Sequence, residues 1–163
     1  MNQRWYAGRL TEDGLRDHFE MRCLLEPIAL GQVMDEIERD AVTERWERAR
    51  KATTSRHTLD RIERLERDLH IDIVLRCRNL QLREAIRRSQ LVIVAIHHAF
   101  DLYRDSAVIS LMVAEYVSIL DHVLAGRRDK AMGALEERYK TEAPQQQLAA
   151  NVDAFARFMD KLS

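Results

Sequence analysis

The chain has 163 residues, about the length of one domain, with 46% hydrophobic and 33% charged residues and only five glycines and two prolines. This composition excludes a disordered, collagen-like or disulfide-scaffold protein. The 26 Lys and Arg nearly cancel the 27 Asp and Glu, leaving a net charge of -1, which argues against strong nucleic-acid binding by this chain itself.

Met1-Asn2-Gln3-Arg4-Trp5 lacks the apolar core of a signal peptide. No stretch approaches the ~18 apolar residues of a membrane span. The longest apolar run, Leu91 to Ile96, is closed by His97 and His98. Cys23 and Cys77 fall inside apolar helical patterns, which predicts buried free thiols in a reducing compartment. The expectation is a soluble, cytoplasmic, single-domain protein with no membrane contact.

The periodicity is helical nearly throughout. Thr11 is a good N-cap, with Glu12 and Asp13 in the first turn, where the helix dipole favours acids. Leu15, Phe19, Cys23, Ala29, Leu30 and Val33 then form a stripe to about Ile37, interrupted by Pro27, which predicts a lost hydrogen bond and a bend. A second helix carries Val42, Trp46 and Ala49 and ends in Thr53-Thr54-Ser55. A third carries Leu59, Ile62, Leu65, Leu69 and Ile73, and Asn79 reads as a break or cap before a fourth with Ile86, Val92, Ile93, Ile96 and Phe100. Asp105 and Ser106 cap a fifth with Ile109, Met112, Val113, Leu120 and Val123, and Gly126 is placed to stop it. A sixth carries Ala131 and Leu135, and Pro144 opens a seventh with Leu148, Val152, Phe155, Met159 and Leu162. The architecture predicted is all-α, an antiparallel bundle of six or seven helices.

Polar residues stand at core-facing positions of these stripes. Glu66 and His70, four apart, project side by side from the third helix. Tyr116 lies between Met112 or Val113 and Leu120. Arg138 continues the step from Ala131 and Leu135, and Arg22 and Glu26 face inward on the first helix. Buried charge is costly unless paired, solvated or bound to a ligand, so the set predicts a polar cavity, with ordinary ion pairs at stripe edges as the alternative. His97 and His98 are adjacent, so a helix points them apart. They read as a surface or partly buried pair, and His122 faces elsewhere than Tyr116.

The segment Asp17 to Leu30, with Glu20-Met21-Arg22-Cys23-Leu24-Leu25-Glu26-Pro27 at its centre, resembles the opening helix of the FadR C-terminal (FCD) domain of GntR-family transcriptional regulators. Leu69-His70 followed by Asn79, Leu80 and Leu82, and Val123-Leu124-Ala125-Gly126 followed by Ala131 and Leu135, agree with the same family. The resemblance runs from about Leu10 to the end. It implies an effector-binding and dimerisation domain, residues 11–163, that would modulate DNA binding by an N-terminal winged helix-turn-helix. Residues 1–10 then look like a remnant linker, and the DNA-reading module is expected to be absent from this chain.

Many members hold a divalent metal through one Asp and three His. The resemblance puts those positions at Glu66, His70, Tyr116 and Arg138, with the spacing kept and the ligands changed. Arg138 cannot coordinate while protonated, so no metal cofactor is expected and the site reads as degenerate. The expected ligand-binding residues are Arg22, Glu66, His70, Tyr116 and Arg138, and the expected partner is a small anionic effector such as a carboxylate. A homodimer is implied as well. The alternative is a ligand-free helical dimerisation module whose cavity is closed by a Glu66–Arg138 bridge. An enzyme is disfavoured, because Glu66 and His70 lack further metal ligands and the chain has no Gly-rich phosphate loop.

Overall fold

The computed structural model describes residues 11–53, 59–100, 106–141, 148–150 and 152–157. These form α1 (Glu12–Val33), α2 (Arg39–Thr53), α3 (Leu59–His70), α4 (Leu80–Phe100), α5 (Ser106–Leu124) and α6 (Arg128–Lys140), with a 3-10 turn at Val74–Arg76. Residues 148–150 and 152–157 are also helical, and no strand occurs among the described residues. The expected all-α bundle is therefore what the chain forms.

Local signals account for the helix ends. The Thr11 hydroxyl accepts from the Gly14 amide at 3.0 Å, capping α1. Asn79 Oδ1 accepts from the amides of Gln81 and Leu82, which makes it the cap of α4. Gly126 adopts φ 68°, where a side chain would be strained. The amide of Arg127 reaches the His122 carbonyl and that of Gly126 reaches Val123, which is the Schellman pattern.

Two boundaries differ from the periodicity. α1 runs through Pro27 as one continuous helix, without the amide hydrogen that proline lacks. α3 stops at His70 instead of reaching Ile73, because the amides of Ile71 and Asp72 both turn back to the Arg67 carbonyl. Ile73 is still buried, just before the 3-10 turn.

α1 is central. It lies antiparallel to α4, with His18 meeting Ser89 and Gln32 meeting Asn79. It is also antiparallel to α6, with Glu26 meeting Tyr139 and Asp35 meeting Arg128. α5 packs on α2, where Trp46 Nε1 donates to Asp121 at 2.6 Å, and on α6 across the Gly126 turn. α3 has shorter fronts against α2, α5 and the 3-10 turn.

The stripe residues Leu15, Phe19, Ala29, Leu30, Val33, Val42, Ala49, Leu65, Leu69, Ile86, Ile93, Ile109, Met112, Val113, Leu120, Val123, Ala131, Leu135, Leu148, Val152 and Phe155 are all buried. Cys77 is buried and Cys23 half-buried, both free. The apolar run of α4 does not form one face: Leu91 is exposed while Ile93 is buried. Residues 1–10, Thr54, Ser55, Asp105, Pro144, Met159 and Leu162, and the side chains of Leu59, Ile62, Ile96, His97, His98, Phe100 and Ser106, lie outside the described residues.

α3 is tied down by charge. Asp68 is 2% exposed and receives Arg48 Nε and Nη2, each at 2.9 Å, from α2. A carboxylate this buried is stable only with such partners. Asp68→Ala, which leaves Arg48 without its buried acceptor, is expected to destabilise the fold by about 2–3 kcal/mol in urea denaturation.

Candidate functional site

Four helices send charged or hydrogen-bonding side chains into the middle of the bundle. α1 contributes Arg22 and Glu26, α3 contributes Glu66 and His70, α5 contributes Tyr116, and α6 contributes Arg138 and Tyr139. All seven are buried, Glu26 and His70 completely. Helix period explains the convergence: Arg22 with Glu26, and Glu66 with His70, are i, i+4 pairs on inward faces.

One half of the cluster centres on Glu26. Arg22 Nε donates to its Oε1 at 2.8 Å, and the Tyr139 hydroxyl donates to Oε2 at 2.5 Å. His70 Nδ1 lies 2.5 Å from the same Oε2, which fixes Nδ1 as the protonated nitrogen facing the carboxylate. The other half centres on Glu66. The Tyr116 hydroxyl donates to Glu66 Oε1 through a very short contact. Arg138 Nη2 donates to Tyr116 Oη at 2.7 Å and to Glu66 Oε1 at 3.2 Å. His70 joins the halves, its Nε2 lying 3.2 Å from Tyr116 Oη and 3.7 Å from Glu66 Oε2.

Burial opposes charge throughout, and the neighbours decide the outcome. For Glu66 burial pushes the carboxyl up, but His70 and Arg138 reverse this and leave it lowered to about 2. Glu26 is held well below the usual carboxylate range, because Arg22 and His70 outweigh its desolvation. Burial pushes the Tyr139 phenol well up, so it stays a donor. His70 is lowered, first by burial and then by Arg22, against the pull of Glu26 and Glu66. The core thus holds two guanidinium cations, two carboxylates and a neutral imidazole.

The bonding is not complete. Arg22 Nη2 and Arg138 Nε are buried without a hydrogen-bond partner. Arg138 Nε has only Glu115 Oε2 nearby, at 3.7 Å. The guanidinium carbons of Arg22 and Arg138 lie 5.8 and 5.5 Å from the Tyr139 ring centroid, so both cations flank one aromatic ring.

The geometry brings Arg22, Glu66, His70, Tyr116 and Arg138 together, as the stripes predict. Two participants lie outside that set. Glu26 is inward by its spacing, but pairing with Arg22 made it look self-contained. Tyr139 continues the Ala131–Leu135 step and reads as a core aromatic; nothing in the spacing reveals its hydroxyl partner. His122 stays apart, accepting from Arg127 Nε.

The donors do not fit a divalent metal. Tyr116 and Arg138 stand at two of the four positions, and the Arg138 guanidinium already contacts the Glu66 and Tyr116 oxygens that a metal would need. Among the described residues no group of three or more His, Cys, Asp or Glu side chains is placed to hold a metal ion. No helix among them is long and apolar enough to cross a membrane.

The family model described as the FCD domain matches residues 17–141. No curated protein and no solved structure matches the chain. The match covers most of the chain, which therefore belongs to the FCD family, the FadR C-terminal effector-binding domain of GntR-type transcriptional regulators.

The pKa directions give an acid-side prediction. His70 below 6.5 and Glu66 at about 2, against an ordinary 4.5, both bind fewer protons folded than unfolded. Stability is therefore full above pH 6.5. It falls first below 6.5 through His70 and again below 4.5 through Glu66 and Glu26. Thermal midpoints across pH check this: His70→Gln removes the upper fall and shrinks the lower one, because His70 is the first of the neighbours that hold Glu66 down.

Proposed function

We propose that this FCD domain is the effector-sensing and dimerisation half of a transcriptional regulator, and that it takes a small carboxylate on Arg22 and Arg138. The observation that carries the reading is that each buried arginine has a nitrogen without an acceptor. A finished structural ion network satisfies its buried donors. Here each guanidinium meets its internal carboxylate through one nitrogen only, Arg22 through Nε and Arg138 through Nη2. A carboxylate ligand supplies the second acceptor of a bidentate fork. The neutral His70 and the Tyr116 hydroxyl offer adjustable polar contacts beside it. The core needs no metal for this chemistry, because Arg138 already supplies a permanent cation.

A winged helix joined to the N-terminal side would read DNA. An effector that binds one arrangement of a homodimer better than another would then shift operator affinity. A face for the second copy lies on the outside of α1, where Met21, Leu24 and Ile28 form an exposed apolar stripe. The family supports a regulatory role and gives no support for catalysis.

The ligand-free dimerisation module is the second reading, favoured by the Glu66–Arg138 bridge, which is present at 3.2 Å. Thermal shift across a panel of mono- and dicarboxylates separates the two. The sensing reading expects at least one acid to raise the midpoint of the wild type or of a variant with a weakened bridge. It also expects Arg138→Met to abolish that shift. No shift with any acid in any of these proteins leaves the ligand-free module. Leu24→Glu is expected to convert a dimer to a monomer in sedimentation velocity with the helical content unchanged.

A further inference from the structure

We propose that Glu66 is an internal stand-in for the effector: its carboxylate occupies the Arg138 guanidinium in the free protein, and a ligand carboxylate binds by displacing it. The inference rests on the carboxylate reading above and concerns how that site is regulated.

Three observations single out Glu66. Its ion pair with Arg138 is loose for a buried one, made through one nitrogen at 3.2 Å while Arg138 Nε stays without an acceptor, and its close partner is the uncharged Tyr116 hydroxyl. Glu26 has Arg22, His70 and Tyr139 all within 2.8 Å. A free carboxylate that meets Arg138 in the two-nitrogen geometry therefore makes the better contact.

Glu66 is also the least enclosed of the four charged residues, at 8% exposure against 0% for Glu26, and it rides on the helix with the shortest packing fronts. Its side chain keeps 10% of its surface exposed where that of Glu26 is fully enclosed.

The third observation is a proton count. The Tyr116 hydroxyl has one hydrogen and faces two acceptors, Glu66 Oε1 and His70 Nε2. The His70 proton is committed to Glu26, so Nε2 lacks a donor while Tyr116 serves Glu66. When Glu66 leaves, the hydroxyl hydrogen turns to Nε2, and the departure is partly offset within the core.

Charge balance asks for the same exchange. Arg22 and Arg138 face Glu26 and Glu66, with the half-buried Glu115 at the edge. An added anion leaves this core with excess negative charge. Exchange of one carboxylate for another keeps the balance.

The test titrates wild type, Glu66→Gln and Glu66→Asp with acetate and with succinate by isothermal calorimetry, with thermal unfolding of each protein to confirm folding. Glu66→Gln removes the competing charge, and Glu66→Asp keeps the charge but draws it back by one methylene. Both are expected to bind at least one probe at least tenfold more tightly than wild type, and Arg138→Met to bind neither. Binding seen only in the Glu66 variants is the same result in stronger form. Equal or weaker binding by the folded variants, with wild-type binding intact, overturns the displacement and leaves the carboxylate site standing, with Glu66 as a ligand contact. No binding by any of these proteins overturns both. If Glu66→Gln does not fold, Glu66→Asp alone decides.

Discussion

Two guanidinium groups sit inside a helical bundle, and much of the interior is arranged around them. An arginine cannot escape burial by losing its proton, as a lysine or histidine can. Each must be met by an anion, and each anion must be held against its own tendency to protonate when desolvated. Glu26 and Glu66 meet that demand, and they in turn require Tyr139, Tyr116 and His70 as donors. A set of polar residues on α1, α3, α5 and α6 follows from placing two permanent charges where solvent does not reach. The apolar stripes fix where the helices lie; the charges fix how they face one another.

That dependence explains what could be read from the sequence. Helix number, the Thr11, Asn79 and Gly126 boundaries and the apolar faces were legible, because caps and the 3.6-residue period are local signals. Inward placement of Arg22, Glu66, His70, Tyr116 and Arg138 was legible for the same reason. Partner choice was not. Glu26 joins His70 across 44 residues and Tyr139 across 113, and no local pattern encodes those meetings. The end of α3 was also misplaced, since Ile73 keeps the apolar rhythm after the backbone has turned away at Arg67. Burial and helicity are separate properties, and a hydrophobic pattern reports only the first.

The two halves of the cluster differ in character. Around Glu26 every oxygen contact is short, sealed and supplied from three helices, which suits a fixed hub. Around Glu66 one hydrogen serves two acceptors and a guanidinium nitrogen goes without. Buried polar networks rigidify when satisfied and become labile when not. The rigid half joins α1 to α6 and to His70 of α3, and the labile half joins α3 to α5 and α6. A shift of the Glu66 side chain can therefore proceed while His70 and Glu26 keep α3 and α1 joined.

The turn at Gly126 bears on this in another way. Its Schellman bonds lock α5 to α6, so Tyr116 and Arg138 are set opposite each other by counting residues along two rods joined at a fixed hinge. An α-helix advances about 100° per residue, so one inserted residue on either rod would swing its side chain out of register. Replacing the side chain leaves the register untouched. The hairpin thus works as a caliper whose opening is independent of what is mounted on its tips. Chemistry at those two positions can change from metal-binding to guanidinium-based without any revision of the frame, whereas a change of length cannot be absorbed.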